Sequence, residues 1–362
     1  MGCCEATNPE LTGIVASDTP PQWPALDAVL DRRTAVKGAL AAAGTFALSS
    51  CGPKPDGGRT AVRLAFCGQL LCVIPYEVTR ARGHFADEGF DLELVYTRGG
   101  NAAMQALVGG AVDYAGTSFD VVLQAAANGA SIRRFASTGR LPLFALAVSP
   151  EEVGAISSVA DLAGRAVGIS ALGNADHTLL LFLLDEAGVD PGDVRFAAIG
   201  ANIFDALRIG QVAAAMVQEP ALSLVVEAGG RELVNFMEIE QAATHLGGAY
   251  EFMGVSVRAD ERDARLGEMR RLGSALERGL ADTRTLPTEQ IIASLPAALI
   301  AGGNTAQLQD IIERYRLSLY PETITIEPEP AERVARAQEI SGLLTSGAVD
   351  LSVLLDSEIL GG

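Results

Sequence analysis

The chain has 362 residues, long enough for one large or two medium domains with real cores, and 49% of it is hydrophobic while only 5% is aromatic. A formal charge of −18 excludes a basic nucleic-acid face, and five scattered cysteines with three histidines are too few for a disulfide scaffold or a metal run. The first predicted element is an address rather than a fold. Arg32, Arg33 and Lys37 form a cationic segment ahead of an apolar stretch at 39–48, which is shorter than the ~20 residues a bilayer span needs. It ends in Leu48-Ser49-Ser50-Cys51, followed by a Gly/Pro linker at 52–59. Acidic residues ahead of Asp31 suit neither a cationic leader nor a folded segment, and true initiation near Val29 would account for them. Met1-Gly2-Cys3-Cys4 lacks the Ser or Thr at position 6 that myristoylation takes.

Beyond the linker, strand and helix patterns alternate. A strand is predicted at 62–66, a helix at 74–82 with Pro75 in its first turn, and a strand at 91–96. A helix at 101–108 stops at Gly109-Gly110, a short strand follows at 112–115, and Thr117/Ser118 open a helix reaching about 128. A strand at 143–148 completes this first set. The second set has strands at 166–169, 194–198 and 213–217, and helices at 176–187, 203–209 and 221–228. A strand at 252–257 then leads into a mainly helical region ending about 344. This order predicts α/β sheets of the parallel, doubly wound kind in two lobes, one of 60–148 plus 251–362 and one of 149–250, after a signal region at 1–51. Ligands of such sheets sit at the carboxyl ends of strands beside helix N-termini, which in two lobes face one cleft.

The leader resembles a twin-arginine export signal joined to the lipobox of bacterial lipoproteins, which implies that Cys51 becomes an acylated N-terminus. Four strings resemble the binding proteins of ABC importers for sulfonates, taurine, nitrate and the thiamine pyrimidine precursor. They are Arg82-Gly83-x-Phe85-x-x-x-Gly89-Phe90, Ala106-Leu107-x-x-Gly110-x-x-Asp113, Asp161-Leu162-x-Gly164-Arg165-x-Val167-Gly168 and Gly210-x-Val212-Ala213-Ala214 with Pro220. Ala213 stands where relatives often carry Asp, Gln218 where an aromatic is common, and the loop at 67–72 differs from the usual one. These departures bear on the ligand rather than the fold.

The resemblance implies a two-lobe periplasmic-binding-protein fold of type II. It also implies an exported, periplasmic or cell-surface protein with a small-molecule ligand, an ABC permease with its ATPase as partner, and a lipid anchor in the membrane. No catalysis, cofactor, metal or nucleic acid is expected. The alternatives are an enzyme on the same fold, similar to those of thiamine-pyrimidine or menaquinone formation, and a solute sensor. The pyrimidine synthases carry a cysteine cluster and several His that this sequence lacks. The candidate ligand contacts are Gly68 and Gln69 in the first strand-to-helix loop, and Thr117, Ser118 and Phe119 at a helix start. Gly173, Asn174 and His177 are candidates at the opposing helix start, with Glu219 at a strand end. Free N–H groups and the helix dipole at both starts suit an anionic or strongly polar ligand, while Ser and Asn there also serve simple capping. Phe119 and His177 offer stacking surfaces, and Glu219 a carboxylate for an amine. Arg98 reads as a solvated side chain sooner than as the partner of a ligand anion, and Cys67 with Cys72 either as a pair bridged outside the cytoplasm or as two thiols that strand-to-helix geometry holds too far apart.

Overall fold

The computed structural model describes residues 58–300 and 304–360, so the signal-like segment, Cys51 and the linker up to residue 57 lie outside the described residues. Lobe 1 begins with β1 (Thr60–Cys67), α1 (Leu70–Ala81), α2 (His84–Asp87), β2 (Phe90–Thr97) and α3 (Gly100–Val108). It continues with β3 (Tyr114–Ser118), α4 (Phe119–Ala127) and β4 (Ile132–Gly139). Lobe 2 contains β5 (Ala145–Val148), β6 (Ala166–Ile169), α5 (Ala175–Glu186), β7 (Arg195–Ala198) and α6 (Ile203–Arg208). Its remaining elements are β8 (Ala214–Val217), α7 (Ala221–Glu227), β9 (Arg231–Asn235) and α8 (Ile239–Leu246). The chain returns to lobe 1 as β10 (Met253–Arg258). It ends in α9 (Leu266–Thr285), α10 (Thr288–Ser294), α11 (Ala297–Ile300), α12 (Thr305–Leu319), α13 (Pro328–Ile340) and α14 (Leu351–Leu354).

Two five-stranded sheets result among the described residues, in the orders β2-β1-β3-β10-β4 and β7-β6-β8-β5-β9. Each is parallel over its first three strands, and β10 and β5 run antiparallel to both of their neighbours. The expectation of wholly parallel sheets is thus corrected. A right-handed helix crossover forces parallel pairing, whereas β5 and β10 arrive from the other lobe and enter the sheet reversed. The lobe boundary is corrected too. The strand expected to finish lobe 1 at 143–148 is β5, seated between β8 and β9, so the first crossing lies at 140–144. Its Ala-Leu-Ala-Val run is completely buried and apolar, which marks an interior strand without saying of which sheet.

Helix α1 starts four residues earlier than its pattern predicts, leaving Pro75 inside the helix rather than in its first turn. Proline removes the amide that would bond the Leu71 carbonyl, and the Tyr320 hydroxyl donates to that carbonyl instead at 2.8 Å. Five glycines of the four strings, Gly83, Gly89, Gly110, Gly164 and Gly210, have φ between 67° and 79°, the left-handed region where a side chain is strained, while Gly168 lies within β6. That need explains their spacing: Gly83 separates α1 from α2, and each of the others closes a helix or turn before the next strand. The terminal helices touch both lobes. Helix α9 packs on α1, while α13 packs on α4 of lobe 1 and α5 of lobe 2. Among the described residues no helix is long and apolar enough to cross a membrane.

Candidate functional site

Helices α1, α3 and α4 start where β1, β2 and β3 end, so their N-termini gather at one rim of lobe 1. Helix α5 starts after β6 at the facing rim of lobe 2. Between them lies a cavity of about 130 Å³ lined from lobe 1 by Gln69, Arg98 and Ser118 among others, and from lobe 2 by Ser170, Asn174 and Gln218. Phe144 and Phe252, on the two crossing segments, close its apolar side with their rings edge to face at 6.1 Å. A larger open groove of about 610 Å³ between α3 and α4 is lined from lobe 1 alone, by apolar and amide side chains with no charged residue among them.

The N-cap residues Gln69, Gly99, Ser118 and Asn174 make no side-chain cap hydrogen bond. First-turn amides of α1 and α3 therefore keep their donors for a ligand. At α4 the Phe119 amide is already spent on the Phe252 carbonyl at 2.8 Å, which ties β10 to the rim. At α5 the Asp176 carboxylate takes the place a ligand anion would fill. It accepts from the Ser170 amide at 2.5 Å and the Ser170 hydroxyl at 2.8 Å, and burial holds its pKa up against these bonds. Arg98 is exposed at the rim and has no ion-pair partner among the described residues.

The floor under Ser118 is a buried ion pair. Arg134, fully buried on β4, donates to Glu251 at 3.0 Å and to the carbonyls of Thr117, Gly254 and Phe252 at 2.7–3.0 Å. Glu251 also accepts from the Ser137 hydroxyl at 2.7 Å. Burial pushes the arginine down and the glutamate up, opposed by their mutual attraction. A Cβ at Gly254 would stand 2.5 Å from the guanidinium, so only glycine leaves room for it. The pair fixes β3, β4 and the returning chain in one register and so positions Ser118, Phe252 and Met253.

The residues expected from sequence separate into three groups. Gln69, Ser118 and Asn174 line the cleft, and Gly68 sits beside it with its amide on the Thr97 carbonyl. Thr117 and Gly173 lie one residue behind the lining, and the fully buried Thr117 hydroxyl has no partner among the described residues. Phe119, His177 and Glu219 do not line the cleft. Phe119 is a core side chain under the Arg134 guanidinium, 5.8 Å from its ring centroid, because the first residue of a helix leaving a buried strand turns inward. His177 is buried against Phe196 and accepts the Gly173 amide at 3.0 Å, with burial lowering its pKa, so it serves the turn before α5. Glu219 accepts from the Ser223 amide and hydroxyl at 3.0 Å and caps the following turn. Sequence reasoning missed Ser170, Asp176, Phe144 and Phe252 and set Arg98 aside; the Arg-Gly-Gly junction between strand and helix was the available signal.

This architecture defines a class, the two-lobed periplasmic-binding-protein fold. The chain belongs to the NMT1/THI5-like family, whose model matches residues 72–290. It is similar to a solved protein of Bordetella bronchiseptica RB50, at 25% identity over 83% of this chain and 96% of that one, with a TM-score of 0.74. It shares its fold with the periplasmic aliphatic sulphonate binding protein SsuA of Escherichia coli, at 22% identity, 81% and 91% coverage and a TM-score of 0.64. The alkanesulfonate-binding protein SsuA of Xanthomonas axonopodis pv. citri, solved bound to MOPS, gives 19% identity, 82% and 98% coverage and a TM-score of 0.64. No curated protein matches the sequence.

Proposed function

We propose that the chain is the exported solute-binding component of an ABC importer and closes its lobes on a small organic anion. The observation that carries this is the cleft rim, where uncapped N-termini of α1 and α3 meet the unpaired Arg98 and the hydroxyl of Ser118. Backbone donors, a guanidinium and a hydroxyl bind a sulfonate or carboxylate head without needing it protonated. The two aromatic rings take a short apolar tail. A cavity of 130 Å³ is near the ~150 Å³ that holds one benzene-sized molecule, so the ligand is small. The sulfonates named for similar structures fit that description. A melting-temperature panel of short alkanesulfonates, taurine, nitrate, pyrimidines and aromatic acids tests the reading. A ligand at ~100 times its Kd adds ~2.7 kcal/mol of stability, an easily read shift. A response confined to pyrimidines would overturn the choice of an organic anion.

The leader supports the further reading that Cys51 is acylated and residues 1–50 are removed, leaving the protein tethered outside the cytoplasm. Trp23, the sole tryptophan, lies in the part removed, so mature membrane-extracted protein should emit as tyrosine only. Cys51→Ala should release the protein from the membrane fraction or leave it unprocessed. Unchanged attachment, or tryptophan emission from the extracted protein, contradicts processing at this site.

A further inference from the structure

Three sulfur atoms meet on the lobe 1 wall of the cleft. Cys67 ends β1, Cys72 sits in the first turn of α1 and Met253 opens β10, and all three line the cavity. Neither cysteine is paired in a disulfide, and each of the three residues is at least nine-tenths buried. The Cys72 sulfur lies 3.8 Å from the Met253 thioether and within hydrogen-bonding reach of Cys67. With metal–sulfur bonds of about 2.3 Å, a metal at the centre of three sulfurs holds them about 4 Å apart. The Cys72–Met253 separation of 3.8 Å matches one edge of that triangle, and Cys67 lines the same small cavity.

We propose that Cys67, Cys72 and Met253 form a three-sulfur site for a soft monovalent metal ion, Cu(I) or Ag(I), beside the organic-ligand cleft. Two thiolates with a thioether suit a soft ion, whereas Zn(II) takes four ligands and rarely a thioether. On binding, the ion displaces one proton from each thiol and its oxidation state does not change, so the site becomes a bis-thiolate carrying one net negative charge. That charge is met locally. The N-terminus of α1 directs its dipole at Cys72 in its first turn. The inference stands whether or not the cleft takes an organic anion.

The test is a Cu(I) titration of the reduced full chain against bicinchoninate. Ser at positions 3, 4 and 51 in place of the other three cysteines keeps those thiols out of the signal. The expected result is removal of one equivalent of Cu(I) from the chelator, with three sulfur neighbours by X-ray absorption. Cys67→Ser with Cys72→Ser should abolish uptake. Met253→Leu, which keeps both thiols and much the same volume, should leave two sulfur neighbours and give up copper at lower chelator concentration. If the double serine variant fails to fold, Met253→Leu alone decides. No uptake by the parent chain, equal uptake by a folded double variant, or a sulfur shell unaltered by Met253→Leu would overturn the proposal.

Discussion

At the first turn of α4, Asp120 is wholly buried with one carboxylate oxygen unpartnered among the described residues, while the other accepts from Tyr250 and Gln338 at 3.3 Å. Burial raises its pKa from 3.8 to about 6, and the charge of Asp176 across the lobe boundary adds to the rise. Because the folded value lies above the unfolded one, the folded state binds more protons between them. The stabilisation from the protonated carboxyl is full below about pH 4 and is lost as pH rises through about 6, a change of about 3 kcal/mol. Asp120→Asn lacks that dependence, so in urea unfolding the variant should gain on the parent from pH 4 to pH 7. Parallel pH profiles for the two proteins would contradict this assignment. Nothing in the sequence marked Asp120 or Asp176, since an acid at a helix start reads equally as an exposed dipole partner. Ser118 and Asn174 were legible because a strand followed by a capping residue fixes where a helix begins. Phe119 and His177 were misread because that same signal does not say which way the next side chains turn.

The element scale shows the same division. Strands β1, β6 and β8 carry apolar runs framed by turn glycines, and their positions follow from sequence; β3, expected at 112–115, instead spans Tyr114–Ser118 and takes in Thr117 and Ser118. Strand β4, Ile-Arg-Arg-Phe-Ala-Ser-Thr-Gly, was missed because its buried Arg134 imitates a solvent-facing residue. Only the distant Glu251 and three carbonyls make that arginine tolerable inside. Beside the bonds between α12 and lobe 2, such as the Asn235 amide donating to the Tyr315 hydroxyl at 2.9 Å, two links join helix ends of the two lobes. The Asn101 amide group of α3 donates to the Asn174 side chain at 2.8 Å, and Gln124 of α4 donates to the Gly173 carbonyl at 2.7 Å. Neither donor lines the cleft. Each such bond contributes ~0.5–1.5 kcal/mol to the closed form, so Asn101→Ala with Gln124→Ala should weaken ligand binding by up to ~100-fold if the two add fully. Small-angle scattering should show a larger radius of gyration for the unliganded double variant. An unchanged radius and affinity would mean that the lobes are held by α13 rather than by these contacts.

For the whole molecule, two mixed sheets joined by the crossings at 140–144 and 247–252 allow hinge closure, with ligand contacts from both lobes favouring the closed form. Strand–helix alternation made the two lobes legible, but the assignment of β5 depended on pairing between distant segments that no local pattern encodes. The cleft's polarity is asymmetric. Lobe 1 presents Arg98, Gln69 and two helix ends, while lobe 2 has satisfied its own helix end with Asp176. The anion is therefore expected to be held mainly by lobe 1, with Ser170 and Gln218 completing the contacts. Isothermal calorimetry of a short alkanesulfonate on the parent chain, Arg98→Gln and Ser118→Gly tests this most directly. Glycine keeps most of the N-cap at Ser118 and removes its hydroxyl, so stability and affinity separate. The parent should bind one equivalent, with affinity reduced ~10-fold or more by Arg98→Gln and ~3- to 10-fold by Ser118→Gly. Equal affinity in all three folded proteins, or no heat from any small organic anion, would contradict an anion held at this rim.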